Sequence, residues 1–294
     1  MMIPRFTYRL FLNRACFILV CVFLVLGLLP FFMIIWELLY SGIKHINFGF
    51  FFETSPSATD AILAKMGVEL IPGGILNGIF GSFVMIVIAV VFAVPLGILS
   101  GICISENQHR RFAVLIQCLT GILQGIPSII IGVIVYLSIV RSLHGFSAFA
   151  GGVSLAIVML PVITFSTLKV LRALPTNLKE AGMALGGSYT AVMLRIILPA
   201  AGRGLTAGVL IAISRALGET APLILTVLGT SMINWNIYEP TNSISLLIWN
   251  FFNNSNMIDL LWSTSLFLFL IVLFLNIIAK YIIRNMNSKI SFYE

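Results

Sequence analysis

From Leu70 to Ser105 the chain carries no Asp, Glu, Lys or Arg, and four further stretches share that feature: Ala15–Trp36, Phe112–Val140, Ser142–Leu168 and Leu260–Ala279. Crossing a hydrocarbon core of about 30 Å takes roughly 20 predominantly apolar residues in a helix. Every one of these stretches qualifies. A sixth, Gly204–Tyr238, is interrupted only by Arg215 and Glu219. The composition agrees, with 9% charged residues over 294 positions against about 25% in soluble domains. The chain therefore reads as an all-α integral membrane protein. It forms a single transmembrane domain over residues 1–294, with six helices near 15–39, 74–104, 112–140, 147–170, 204–230 and 260–283.

Arg5, Arg9 and Arg14 precede the first apolar run as they would in a signal peptide, but the run is too long and ends in "PFFMIIWELLY" without a small-residue cleavage site. It is read as an uncleaved first helix. Orientation follows from Lys and Arg. With the N-terminus inside, thirteen fall on that side: Arg5, Arg9, Arg14, Arg110, Arg111, Lys169, Arg172, Lys179, Arg195, Arg203, Lys280, Arg284 and Lys289. Only Lys44, Lys65 and Arg141 fall on the other. Both termini are thus expected to be cytoplasmic in the cytoplasmic (inner) membrane. The net charge of +7 reads as a belt against lipid headgroups, with no nucleic acid implied.

Cys16, Cys21, Cys103 and Cys118 lie in or beside spans and suggest no disulfide framework, and His45, His109 and His144 show no metal-ligand spacing. Neither a phosphate-binding Walker loop nor a nucleophile elbow occurs. The chain is read as a non-enzyme without a cofactor of its own. Any ATP and Mg it uses must sit on another chain.

Tyr40–Leu70 reads as an outer loop. Ile244–Phe252 is apolar but too short to span, and is expected at the outer helix ends as an interfacial or partly re-entrant piece. The connection Lys169–Arg203 reads as a cytoplasmic loop, 171–203, of two short helices. Asn177 is placed to cap the first after Pro175, with Glu180 three residues on to reach back to the cap. Gly186 and Gly187 end that helix, and Ser188 caps a second that runs to Pro199. The first helix carries small residues, Ala181, Gly182 and Ala184, suited either to a groove on another protein or to its own bundle.

Arg215 and Glu219 are one helical turn apart and share a face, so they can pair. A central Arg or acidic residue costs roughly 2.5 to 3.5 kcal/mol to insert, so that face must avoid lipid. Two uses fit: an ion pair tying this helix to a neighbour, or an Arg fork that meets an oxyanion and is held by Glu219. Pro222 removes the hydrogen bond to the Gly218 carbonyl and should kink the helix there, as a hinge or a static bend. Gly125, Pro127, Ser128 and Gly132 similarly can break the third span, with Ser128 beside the pathway, or permit a close helix crossing.

Glu180-Ala181-Gly182, then Gly186 after three residues, then nine residues and "IILP" ending at Pro199, resembles the cytoplasmic-loop signature of permease subunits of ABC importers. Gly182 stands where that signature has a second Ala; the spacing holds throughout. The resemblance implies the type I ABC importer permease fold. It also implies that Glu180, Ala181, Gly182, Gly186 and Pro199 belong to a coupling element that docks on a separate ATPase. "SRALGETAPL" (Ser214–Leu223) and "GIPSIIIG" (Gly125–Gly132) look like the Pst-type phosphate importers, over about Leu70–Ile283. The implied partners are a PstC-like permease, a PstB-like ATPase dimer and an extracytoplasmic phosphate-binding protein. Arg215, Glu219, Thr220 and Ser128 become the expected translocation-pathway residues, with Gly218, Pro222 and Pro127 as hinges. The chain departs from that family in the fourth span, where relatives tend to have Arg-Thr-Thr-Glu and Phe165-Ser166-Thr167-Leu168 stands here. The expected function is ATP-driven import of phosphate or another oxyanion. A secondary anion transporter is the competing class, but a second copy of the "RALGE" pattern, as an inverted repeat would give, is not found in the sequence. A membrane scaffold would have no need of Arg215.

Overall fold

The computed structural model describes residues 3–57, 59, 60, 63, 66, 73–108, 110–254 and 257–290. Most of the outer loop 58–72, with Lys65, and the loop residue His109 therefore lie outside the described residues. Among those described, the secondary structure is helical throughout: α1 (Ile3–Ile43), α2 (Phe48–Phe52), α3 (Leu76–Glu106), α4 (Arg111–Gly125), α5 (Ser128–Leu143), α6 (Ala148–Ala173), α7 (Thr176–Ala184), α8 (Tyr189–Leu217), α9 (Ala221–Ile224), α10 (Ile244–Phe252) and α11 (Ile258–Ile290). Five of them, α1, α3, α6, α8 and α11, are long and apolar enough to cross a membrane. A sixth span is α4 and α5 together, bent by 104° at their junction. The bend has a local cause. Pro127 disfavours helical geometry in the residue before it, and Ile126 is extended, with φ −72° and ψ 129°.

The core is the seam between α3 and α6. Glycines let the two backbones approach: a Cβ on Gly97 would lie 2.7 Å from Ile163 Cγ2, one on Gly101 2.5 Å from Thr167 Cβ, and one on Gly152 2.6 Å from Ile88 Cβ. Met85, Ala89, Ala93, Leu155, Met159 and Ile163 fill the seam, and Ala212 and Ala216 of α8 close it from one side. Further α8 contacts run to α11, and α1 joins α11 near Gly42, whose carbonyl accepts a 2.9 Å hydrogen bond from Ser263 Oγ. Up to Ile34, the described side chains of α1 are exposed.

Two expectations change here. The fifth span is not 204–230: α8 already begins at Tyr189 and stops at Leu217. Ser188 does cap it, its Oγ accepting from the Ala191 amide at 3.3 Å. The helix then continues through a π-helical turn at Met193–Ile197 instead of ending at Pro199. Proline cannot donate to the ladder, and the wider turn just before it shifts the register where that donor is missing. In α7, Asn177 is not the cap. The helix starts at Thr176 behind Pro175, without a side-chain cap, and Glu180 is exposed. The short segment α10 packs against the ends of α3 and α11, as expected for a piece too short to span. Ser243 caps it, and Ile244, Leu246, Leu247 and Phe251 are buried, two of them in a cluster with Phe50, Ile75 and Met257.

Candidate functional site

The fifth span ends in a break where a kink was expected. At the C-terminus of α8 the Gly218 amide bonds to the Arg215 carbonyl and the Glu219 amide to that of Ala216, both at 3.1 Å, a tightened last turn. Thr220 then precedes α9, which places Pro222 in the first turn of a new helix, where its missing N–H leaves nothing unsatisfied. Arg215 Nε and Glu219 Oε1 are 3.9 Å apart across the break. The Glu219 side chain is 18% exposed and that of Arg215 49%.

Neighbouring elements hold the break open. Ser245 of α10 donates from Oγ to the Glu219 carbonyl at 2.9 Å, occupying an acceptor that a continuing helix would have used. Ser214, buried beside Arg215, donates to the Ile211 carbonyl at 2.9 Å and reaches Asn276 Oδ1 of α11 at 3.3 Å. Pro222 is buried against α5: a Cβ on Gly132 would lie 2.8 Å from Pro222 Cα. The two broken spans therefore meet at Gly132 and Pro222. Ser128 begins α5 one turn before Gly132, and Pro127 stands just ahead of it. Among the described residues no side-chain hydrogen bond joins Ser128 to Arg215, Glu219 or Thr220.

Chemically, this is a guanidinium with several donors free of protein partners, steadied by one carboxylate at an ion-pair distance too long for a strong hydrogen bond. Its open face can accept an oxyanion bidentately. On α6, Leu168 is buried and Phe165 partly so, both without charge. Among the described residues, three ion pairs occur, and Arg215–Glu219 is the one at the break after α8.

The loop between α6 and α8 is a second locus. The Gly187 amide bonds to the Gly182 carbonyl at 3.3 Å and the Gly186 amide to that of Met183 at 2.9 Å, with Gly186 left-handed at φ +82°, the hydrogen-bond pair of a Schellman terminus. Ala181, Ala184 and Gly186 are exposed, as is Pro199, and Leu185 projects at 89% exposure. Gly182 points the other way. It is buried against Val192 and Ile196 of α8, so it serves the loop's own packing instead of its outer face. Sequence reasoning missed Glu106, whose carboxylate pairs with Lys179 of α7 from the end of α3. It also missed Ser245 and Asn276. Each contact crosses at least 26 residues of chain, and no local pattern signals it.

A bundle with one span bent by 104°, another that ends beside a charge pair and an exposed helical elbow fits a membrane transport subunit. Residues 93–292 match the binding-protein-dependent transport system inner membrane component family, and the chain belongs to it. It is a multi-pass inner-membrane protein of the ABC importer permease class. Among its relatives is the phosphate transport system permease protein PstA of Haemophilus influenzae, 32% identical over 94% of this chain and 95% of that protein. The Pasteurella multocida protein of the same name is 31% identical over 84% of this chain and 85% of its own length. In fold, the chain resembles a solved chain of the inward-facing MetNI methionine ABC transporter, with a TM-score of 0.57 and 17% identity over 71% of this chain and 93% of that one.

Proposed function

We propose that this chain is one of two permease subunits of an ATP-driven importer for inorganic phosphate, and that Arg215 meets the ion at the break in α8. The observation that carries the reading is the half-exposed Arg215 guanidinium, the one charge in the stretch of α8 from Gly204 to Leu217. Lipid is too costly a neighbour for it, so a water-filled pathway or a second permease must cover that face. Glu219 keeps the empty site from trapping anions, Thr220 lies at the same break, and the contact between Gly132 and Pro222 gives the broken halves a surface on which to shift. Relatives named as phosphate permeases support phosphate as the cargo. The partners are a PstC-like permease, a PstB-like ATPase dimer holding ATP and Mg, and an extracytoplasmic phosphate-binding protein. The elbow formed by α7, with Leu185 exposed, docks on the ATPase from the cytoplasmic side, as the charge bias supports. A cysteine at Ser188 should therefore react with an impermeant reagent only from the inner face. Labelling in intact cells would reverse that topology.

The decisive experiment is labelled-phosphate uptake by Arg215→Gln with Glu219→Gln at matched membrane levels. Removing both charges together avoids leaving either one unpaired at the break. Assembly should survive and uptake should fall at least about a hundredfold, the scale of losing a charged contact to the ion. Full uptake would make the pair a tie between segments only.

A further inference from the structure

The Lys179–Glu106 ion pair links residues 73 apart in sequence, and among the described residues it is the side-chain ion pair that joins α7 to the membrane bundle. Neither group is free in solvent: the side chains are 32% and 19% exposed, and the Lys179 ammonium also lies 5.1 Å from the centre of the Tyr189 ring at the start of α8. Three elements therefore converge on one lysine. The α3 helix that Glu106 terminates is no loose rod, since it is locked to α6 through Gly97, Gly101 and Gly152. At its other end, Ser82 Oγ accepts from the Ile244 amide at 2.9 Å and Met85 packs with Leu223 and Val227. Ile244 begins the helix whose Ser245 holds the Glu219 carbonyl. From Ser82 to Glu106 the helix spans roughly 36 Å at 1.5 Å per residue. One rigid unit thus connects the base of the elbow to the broken segment beside Arg215.

We propose that Glu106 is a positioning residue: through Lys179 it fastens the ATPase-docking helix to α3, so that movement of α7 displaces the α3–α6 unit against the break at Gly218–Glu219. This rests on the reading of α7 as the docking element. Without the pair, α7 keeps its Schellman terminus and its contact through Gly182, so it can still dock, but its motion is no longer delivered to α3.

The test uses the reconstituted complex with its partner permease, ATPase and binding protein. In Glu106→Gln and in Lys179→Gln, phosphate moved per ATP hydrolysed should fall about tenfold, within the usual range of coupling energies, while hydrolysis itself changes less than about twofold. The exchange Glu106→Lys with Lys179→Glu should recover most of the ratio. A spin label at Gln108, just past α3, should show ATP-dependent movement in the parent complex and lose it in Glu106→Gln, whatever the cargo. An unchanged ratio with retained movement overturns the proposal. So does a parallel fall of uptake and hydrolysis that the exchange fails to recover, which would make the pair a folding contact. If one single variant fails to assemble, the other decides by the same two readouts. Failure of the unmodified complex to carry phosphate would overturn the substrate instead, leaving the movement of the label to judge the fastening.

Discussion

At Gly101, in the seam between α3 and α6, an added Cβ would lie 2.5 Å from the Cβ of Thr167 and 2.9 Å from the Thr164 carbonyl; at Gly186, at the end of α7, it would meet nothing within 4 Å. Yet Gly186 is the residue with left-handed backbone, φ +82°, while Gly101 sits in an ordinary helix. The same residue type answers two different demands. One is imposed by another element arriving from more than sixty residues away in sequence, the other by the local path of the chain. A seam of the first kind makes a rigid unit; an elbow of the second kind fixes a direction without being packed.

That contrast fails if the seam is slack, and Gly101→Leu tests it with the largest expected effect. The added atoms have only the Thr167 side chain and the α6 backbone to displace. Overpacking of this kind costs typically 1 to 3 kcal/mol or more. Assembled protein in detergent extracts should drop severalfold; normal yield would show that α6 can move aside. Gly186→Val should be milder for folding, about 1 to 2 kcal/mol for a branched residue in left-handed geometry. Its mark should be functional, with the membrane domain assembled and uptake reduced because the elbow points elsewhere. Gly186→Asn sharpens the test, since Asn tolerates that conformation and should keep most uptake. If Val and Asn behave alike, the backbone argument is wrong. The smallest effect is expected at Gly202, in α8, where neither demand applies: no neighbour lies within 4 Å and φ is not positive. Gly202→Ala should leave uptake unchanged and raise helix stability by up to about 1 kcal/mol, read as an equal or higher melting midpoint.

Residues whose signal is local were legible. Gly186 was read as a helix terminus from the order of residues around it, and Ser188 as a cap. Arg215 and Glu219 were read as neighbours from their spacing. The bend at Pro127 was also visible, because a proline acts on the residue before it. The readings that failed needed a partner to be known. Pro222 alone indicates a weakened helix; it became a full break where Ser245 holds the Glu219 carbonyl and the Pro222 backbone packs on Gly132. Asn177 has the chemistry of a cap, but α7 starts behind Pro175, two residues too early for it to serve. Nothing near Gly182 told its inward role from an outward one until Val192 and Ile196 were in place.

By itself the sequence determined that this chain lies in a membrane and that two opposite charges one turn apart can pair. Those properties depend on the transfer of side chains out of water and on spacings of three or four residues, which the order of residues contains directly. Only the tertiary structure decided which glycines are seams, which face of Ile244–Phe252 is buried, that α8 runs back to Tyr189 through a π turn, and that Glu106 meets Lys179. Each of these depends on which surfaces meet. In a chain where nearly every span is apolar, hydrophobicity alone does not choose among partners. Shape, glycine by glycine, and a few buried polar contacts do.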